Sequence, residues 1–481
     1  MTLASGIMFF IVATMPILFA AVQPWVWSFY SLGMMVAFLG YFWRRNTGVR
    51  ALVAGPMVAL SAGLFFLVTL LQCLPLPDVA MAWFSPLRYR TVTAAAGLTG
   101  ADNHWHALSY CVPTAFSWWS FLLGLFLFFL LVRHLCADGK TLERLTTLMI
   151  VLALIEAIYG VIQALVPSLG VLWVGYFNEY MGYARGTFIN RNHFAGFIEM
   201  TWPLMLGVTM AMTERGRSLK RELASDRLNR QALMALGIVV LLLALLLSRS
   251  RAGITGGAVG LMTFWFMARP GMRRIARRTR WLAIATVGVL CVYCATIGLG
   301  PTFERFLSLG DGKSRIDIWR DGLSILKDHP LGIGLHNFET VFQVYNHAFV
   351  ADKTVGYAHN DYLQLLIETG WIGFIILVGG CVYFAGKNYR LIRQLDADDA
   401  DPKRFFLAVG AFSGMVSLAF HSFFDFNLQI PANALYFVTL MALLSACTAH
   451  LKSFRRADAP AKMRPPPLFA APHSRHGRGR S

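Results

Sequence analysis

One short motif in this chain has residue types suited to acid–base chemistry, the run His359-Asn360-Asp361-Tyr362-Leu363. It closes the longest polar interruption of a very apolar sequence and stands just before an apolar run at 363–386. The imidazole is therefore predicted to lie where water, a helix N-terminus and lipid meet, with Asn360 or Asp361 as the helix cap. A neutral imidazole can take a proton from a hydroxyl group near neutral pH. Taken alone, an interfacial histidine is more often a structural residue.

A short turn between two apolar runs carries two arginines, in the sequence Ser248-Arg249-Ser250-Arg251. A turn of this length needs no positive charge, and the overall charge distribution disfavours cations on its side of the membrane. A planar guanidinium can grip a phosphate group through two parallel hydrogen bonds, so both arginines are predicted to bind phosphate. The alternative is a pair of interfacial arginines that reach toward lipid headgroups.

Further cations are predicted on the same side. Arg185 and Arg191 flank the glycine-rich approach to the apolar run at 192–212, and Asn192 is the expected cap of that helix. Arg315 and Arg320 belong to a predicted amphipathic helix farther along the chain. Together these residues are candidates for binding an anionic substrate.

Three acidic or imidazole groups near helix ends complete the set of candidates. Glu368 falls in the first turns of a membrane helix, where an unpaired carboxylate is costly, so it should pair with an arginine or orient His359. We count Glu368 and Asn360 as candidate substrate-binding residues. His421 and Asp425 lie near the end of another apolar run. A structural hydrogen-bonded pair is the default for these two, and support of a site is the alternative.

The composition places these residues in an all-α polytopic membrane protein. The chain is 56% hydrophobic and 14% charged, whereas a globular domain has about 25% charged residues. Runs of bilayer-spanning length predict about twelve transmembrane helices. They lie near 6–22, 26–43, 51–74, 114–132, 145–166, 192–212, 232–248, 252–268, 281–299, 363–386, 405–424 and 432–449.

The basic residues predict the orientation of the chain. Segments that alternate to one side hold 31 of the 43 Lys and Arg residues, which is the positive-inside pattern and places both termini in the cytoplasm. This distribution explains the net charge of +18 without a nucleic-acid partner. The first apolar run lacks a basic leader, so we interpret it as a retained helix rather than a signal peptide.

Four regions follow from these spans. The long segment 300–362 is predicted to hold an amphipathic helix from Ser314 to Lys327, with Ile316, Trp319, Leu323 and Leu326 on its apolar face, and a second short helix at 337–346. The regions are a transmembrane bundle at 1–299, a helical periplasmic loop at 300–362, a second bundle at 363–450 and a disordered basic tail at 451–481.

No metal or cofactor signature accompanies these candidates. The chain lacks a phosphate-binding glycine loop, an HExxH pair and a GxSxG turn. Cys291 and Cys294 lie inside an apolar run and are read as core packing, while Cys73 and Cys111 flank an outer loop and could pair in an oxidising compartment. If the ligand is a lipid diphosphate, arginine rather than a metal must neutralise it.

The motifs resemble those of the O-antigen ligase and Wzy-type polymerase superfamily of bacterial envelope glycosyltransferases. The ligase motif, His-Asn/Ser-x-x-Leu followed by Gly, is met by His359 to Leu363 with Gly370 and Gly373. The Ser-Arg-small turn is met at Ser250-Arg251-Ala252-Gly253. Two further segments agree with the family: Arg315 and Trp319 followed by Pro330-Leu331-Gly332-Ile333-Gly334, and Gly186, Phe188, Asn190 and Asn192.

The resemblance implies a C-type glycosyltransferase-like fold in the bacterial inner membrane, with a periplasmic active site under the long loop. The donor would be a glycan on undecaprenyl diphosphate. The acceptor would be a hydroxyl of lipid A–core or of a second lipid-linked glycan. The enzyme would be a metal-independent inverting transferase without a cofactor. His359 would be the base, and Arg251 and Arg315 would be catalytic, with Arg191 and Arg185 next.

Two other functions stay open from the sequence. A transporter or flippase of a lipid-linked sugar should show internal symmetry and charges at the membrane midplane, whereas the midmembrane runs here are nearly free of charge. A non-catalytic subunit of an envelope assembly would tolerate the loss of His359. Within the resembling family, the sequence does not separate ligase from polymerase.

Overall fold

The computed structural model describes residues 2–45, 55–100, 104–172, 180–212, 226–272, 310–347, 354–394 and 401–457. Within these ranges the chain forms fifteen α-helices and one two-stranded antiparallel sheet. The first half contains α1 (Leu3–Thr14), α2 (Pro24–Arg45), α3 (Pro56–Leu71), β1 (Pro75–Pro77), α4 (Asp78–Phe84), α5 (Pro86–Thr99), β2 (Trp105–Ala107), α6 (Val112–Leu135) and α7 (Gly139–Leu165). The second half contains α8 (Arg191–Ala211), α9 (Asp226–Leu247), α10 (Arg251–Met272), α11 (Gly310–Asp328), α12 (Phe338–Tyr345), α13 (Asp361–Gln394), α14 (Pro402–His421) and α15 (Pro431–Ala457).

Eight of the described helices are long and apolar enough to cross a membrane, which makes the chain a multi-pass membrane protein. They are α2, α6, α7, α8, α9, α13, α14 and α15, and α1 and α3 are shorter apolar helices. The expected run at 281–299 lies outside the described residues. The run at 252–268 does form a helix, α10, but it is not among the eight. Its glycines instead let it approach neighbouring helices: a Cβ on Gly260 would lie 3.1 Å from Cβ of Ser417 in α14.

Helices α8 and α14 form the centre of the bundle. About nine tenths of the α8 span and four fifths of the α14 span are buried inside the protein (89% and 83%), against 28% for α9 and for α13. A helix that is surrounded by protein can carry polar groups that lipid would exclude, because neighbouring helices supply their hydrogen bonds. The candidate residues of the sequence analysis attach to this centre, since Arg191 begins α8 and His421 ends α14.

The long polar segment folds as expected into two helices, α11 and α12, although its details differ. Helix α11 begins at Gly310, four residues before the expected cap Ser314. Its predicted apolar face was wrong in part, because Ile316 and Leu323 are about half exposed. The buried side is formed instead by Ile318, Ile325 and Leu326, which pack on α12 and on the start of α13.

The turn Pro330-Leu331-Gly332-Ile333-Gly334 docks on a break in α13 at Gly370. At that residue φ is +67°, and a Cβ would meet the carbonyl oxygen of Pro330 at 2.6 Å, so only glycine fits. The carbonyl of Glu368 accepts the N–H of Gly334 at 2.9 Å, and the N–H of Trp371 donates to the carbonyl of Pro330 at 3.2 Å. The spaced glycines of the sequence motif therefore fasten the outer helices to the membrane bundle.

The described cysteines are free thiols. Cys73 lies 3.6 Å from the carbonyl of Thr69, and the sulfur of Cys111 lies 3.1 Å from the hydroxyl of Thr114. The possible bridge between the two is therefore absent from this structure. Cys291 and Cys294 lie outside the described residues.

Candidate active site

A cavity of about 410 Å³ opens where α8, α10 and α13 begin, and we call this end of the bundle the site end. Four arginines line the cavity together with His359 and Asp425. Helix N-termini carry partial positive charge and N–H groups without a partner inside the helix, so they attract anions. The cavity is thus positive in both its backbone and its side chains. The four arginines are Arg191, Arg249, Arg251 and Arg315.

Two of these guanidiniums share one aromatic ring. The guanidinium carbon of Arg191 lies 4.3 Å from the ring centre of Tyr183, and that of Arg249 lies 5.1 Å from it. Arg249 also occupies the left-handed region at φ 51°, which is uncommon for a side-chain-bearing residue. Aromatic stacking and the strained turn fix the direction of both cations before a ligand arrives.

Asp425 is the central acceptor of the site. It is buried in the turn after α14, where its carboxylate accepts the side-chain N–H of Asn192 at 2.7 Å and the backbone N–H of Phe426 at 2.9 Å. Arg315 approaches the same carboxylate to 3.5 Å, and the imidazole of His193 to 3.8 Å. An ionised carboxylate suits this position, because it only accepts hydrogen bonds and each of these neighbours is a donor or can become one.

The ionisation of Asp425 follows from these contacts. Burial raises the pKa of the carboxyl, but hydrogen bonding and charge from His193 and His359 more than offset it and hold the pKa well below its ordinary value. Asp425 is therefore an anion at neutral pH. Because the carboxylate is buried, solvent screens its charge only weakly at the neighbouring residues.

His359 stands on the segment that leads into α13, with its side chain about one third exposed (32%) toward the cavity. Its Nδ1 lies 3.5 Å from the carboxylate of Asp425, and its ring edge packs on Phe426 with centres 4.9 Å apart. The separation exceeds that of a short hydrogen bond, and such contacts in empty sites often tighten when substrate binds. An anion beside Nδ1 favours the tautomer protonated there, which leaves Nε2 with a lone pair.

The backbone around His359 sets the direction of its side chain. Its φ of 49° is unusual for histidine, and strain of this kind is concentrated at functional sites. The residue before it is held from two sides: Trp319 donates its indole N–H to the carbonyl of Ala358 at 2.9 Å, and Gln364 accepts the N–H of Ala358 at 3.1 Å. Trp319 also places Arg315, one helical turn earlier in α11, over the cavity.

The remaining candidate residues lie outside the cavity lining. Asn360 accepts two backbone N–H groups of α13 and so is the helix cap, as one of the two alternatives expected. Arg320 is exposed and lies 3.6 Å from Asp317. Glu368 accepts from Gln364 at 3.0 Å and from backbone N–H groups of the α11–α12 connection, so it contributes to the docked turn rather than pairing with an arginine.

Arg185 is the most buried of the predicted cations outside the cavity, with 3% of its surface exposed. Burial lowers the pKa of its guanidinium, although the nearby phenols of Tyr159 and Tyr180 act in the opposite direction. Tyr180 lines the cavity, so Arg185 lies behind the wall. Its position suits charge support of the site rather than direct contact with a ligand.

Two expectations were wrong in detail. The cap of α8 is Asn190, whose side chain accepts the N–H of Asn192, and this leaves Asn192 free to donate to Asp425. His421 does not bond Asp425; its Nδ1 lies 2.9 Å from Glu199 in α8, and both side chains are fully buried. Asp425 instead lines the cavity, and the alternative of a supporting role at the site stays a prediction.

The arrangement can deprotonate a hydroxyl group and stabilise a leaving anion. The Asp425–His359 pair provides a base with a defined tautomer, and the arginines provide fixed positive charge across the cavity. Such charges stabilise a leaving diphosphate best when they are held in place before the reaction. The cavity wall also includes the ring of Tyr357, which stacks on Phe426 with ring centres 4.1 Å apart.

Comparison with known families finds a match for one part of the chain. Residues 236–378 match the family model described as O-antigen ligase, so the chain carries an O-antigen ligase domain. The resemblance found in the motifs is thereby confirmed for that region. The domain indicates a role in surface-polysaccharide biosynthesis. It includes Arg249, Arg251, Arg315 and His359, whereas Arg191 and Asp425 lie outside the matched residues. No curated protein matches the chain.

Proposed function

We propose that this protein transfers a glycan from undecaprenyl diphosphate to a sugar hydroxyl group at the periplasmic face of the bacterial inner membrane. In this proposal both termini are cytoplasmic and the site end faces the periplasm. The observation that carries the proposal is the cavity in which one histidine–aspartate pair faces four arginines. A base and a set of phosphate-binding cations are the two requirements of the reaction.

The proposed reaction is a single displacement. Nε2 of His359 takes the proton of the acceptor hydroxyl, and the oxygen attacks the anomeric carbon on the face opposite the diphosphate. The bond between that carbon and the diphosphate oxygen breaks, so the configuration inverts. Arg251 and Arg315 stabilise the charge that develops on the diphosphate, and each such group is typically worth about 10²–10³-fold in rate. No metal ion is required, because the guanidiniums supply the positive charge.

The acceptor decides between two forms of this function. A ligase would use lipid A–core, and a polymerase would use a second lipid-linked glycan. The test is a reconstituted assay with purified protein, undecaprenyl-diphosphate glycan and both acceptors in equal amounts. Elongated lipid-linked glycan would identify a polymerase, and glycosylated lipid A–core a ligase. If the donor stays intact with both acceptors but crosses the bilayer of proteoliposomes, the transferase proposal is overturned in favour of a transporter.

Replacing Arg251 with lysine tests whether the cation binds phosphate through its planar fork. We expect Arg251→Lys to lower kcat/KM by at least about tenfold, since an ammonium group keeps the charge but loses the bidentate geometry. Arg320→Lys is the matched control, because Arg320 is exposed and pairs with Asp317. Equal activity of both variants would mean that Arg251 only reaches toward lipid headgroups.

A further inference from the structure

A second cavity lies away from the candidate active site. It has a volume of about 610 Å³ and runs between α7 and α9, with α8 and α14 behind it. The wall is almost entirely apolar and includes Val151 and Ile158 of α7 and Leu233 and Leu236 of α9, all about half exposed or more. The groove is therefore open sideways to the membrane.

The groove opens at the end of the bundle opposite the site end. Its mouth is formed by Glu143 at the start of α7, Met212 just after α8, Arg230 near the start of α9 and Lys403 at the start of α14. The site end, in contrast, holds the start of α8 and the end of α14. The mouth of the groove and the active site thus lie at opposite ends of the bundle.

The dimensions of the groove suit a hydrocarbon chain. Along α7 it extends from Glu143 to Ile158, which is about 22 Å at 1.5 Å per residue and so most of the roughly 30 Å hydrocarbon layer. The polar lining residues lie near the mouth, and beyond them the wall is apolar and offers water few hydrogen-bond partners. A flexible acyl chain that enters from the side fills it.

The mouth of the groove carries charged side chains. Arg230 is exposed there, and Lys403 lies 2.8 Å from Glu143 in a pair whose two side chains are each more than half exposed. An exposed pair of this kind is worth at most about 1 kcal/mol, so a phosphate can compete for the lysine. Basic pockets between membrane helices on the cytoplasmic side bind anionic lipid headgroups.

We propose that this groove is a binding site for one anionic diacyl phospholipid of the leaflet opposite the active site, with an acyl chain along α7 and the phosphate between Arg230 and Lys403. The proposal is independent of the glycan-transfer function. It assigns a role to a basic surface that the positive-inside rule explains only as a topological signal.

The experiment counts phospholipids retained on the purified protein by native mass spectrometry. The protein in mild detergent is incubated separately with phosphatidylglycerol, phosphatidylcholine, diacylglycerol, undecaprenyl phosphate and glycerol phosphate. We expect phosphatidylglycerol to bind with one copy per chain and to exceed phosphatidylcholine. Each basic residue near a lipid surface contributes about fivefold in affinity, so Arg230→Ala with Lys403→Ala should reduce the preference by about 25-fold at low salt.

Three further variants sharpen the result. Leu233→Trp fills the groove from an exposed wall position and should reduce retention of all diacyl lipids. Glu143→Gln frees Lys403 and should increase retention of phosphatidylglycerol. Arg390→Ala is the matched control, an exposed arginine near the same end that does not line the groove, and it should change nothing.

Several outcomes would overturn the proposal. Equal retention of phosphatidylglycerol and phosphatidylcholine would remove the charge selection. Full competition by glycerol phosphate would show a phosphate site without a chain, and a preference for undecaprenyl phosphate would assign the groove to the prenyl tail. Unchanged lipid retention in Leu233→Trp would show that the lipid lies elsewhere or that protein already fills the groove.

Discussion

Replacing His359 with alanine should abolish glycan transfer while the protein still inserts and folds. A positioned base contributes about 10²–10⁴-fold to rate, and no other imidazole lines the described part of the cavity to replace it. The loss should appear in kcat, with donor binding nearly unchanged, because the arginines that hold the donor do not depend on the imidazole. Turnover of the purified variant with a saturating donor measures the effect.

His347→Ala is the control for this result. His347 is a mostly exposed histidine of the same outer segment, 3.6 Å from Asp321 and outside the cavity. It should keep full activity and the same melting temperature as the unmodified protein. Full transfer activity of the His359→Ala protein would remove the catalytic assignment, and with it the main argument against a non-catalytic subunit.

Asp425→Asn should have an effect of similar size through a different cause. An amide would point its NH₂ group at one of the donors that now meet the carboxylate, and it would remove the charge that favours the Nδ1-protonated imidazole. In serine proteases the same exchange beside a catalytic histidine lowers kcat by about 10⁴-fold. We expect a loss of at least about 10²-fold here, in kcat more than in KM.

The pH dependence of the stability of Asp425→Asn tests whether the carboxylate also stabilises the folded protein. A carboxyl whose pKa is depressed in the folded protein stabilises it above the ordinary pKa of about 4, and this contribution is lost as the pH falls through the lower folded value. The stability advantage of the unmodified protein over Asp425→Asn should therefore shrink as the pH falls below about 4. Asp317→Asn, at a partly exposed carboxylate on α11, is the control. An Asp425→Asn protein with full kcat would show that the carboxylate is only structural.

Much of the fold followed from composition, because long apolar runs have few alternatives to membrane helices. The sequence also predicted α11, α12 and, as one of two alternatives, the cap Asn360. Predictions from the sequence failed where the buried face or the partner of a residue depends on tertiary contacts. The buried face of α11 is set by α12 and α13, and the apolar residues Ile316 and Leu323 gave no sign that they would be exposed.

The site was predictable to the extent that its residues are charged and lie near helix ends. His359 and the four cavity arginines were identified in this way. The role of Asp425 was not resolved, because His421 is the nearer partner along the chain and the competing partner Glu199 lies more than two hundred residues away. Likewise, nothing local distinguishes Asn190 from Asn192 as the helix cap. Asp425 is a buried carboxylate close to several hydrogen-bond donors. These donors meet it only because α8 and α14 lie side by side, so the sequence alone does not reveal them.

The docked turn at Pro330 to Gly334 sets a limit on how this protein selects its acceptor. Arg315 belongs to α11, which is tied to the bundle through the turn and the broken helix, and Trp319 of the same helix holds the segment that carries His359. We therefore expect the distance between Arg315 and His359 to stay the same when a substrate binds. Under the proposed function, we expect the acceptor to be chosen by its length: a hydroxyl group that reaches from the leaving diphosphate to the imidazole should be glycosylated, whatever the remainder of the sugar is.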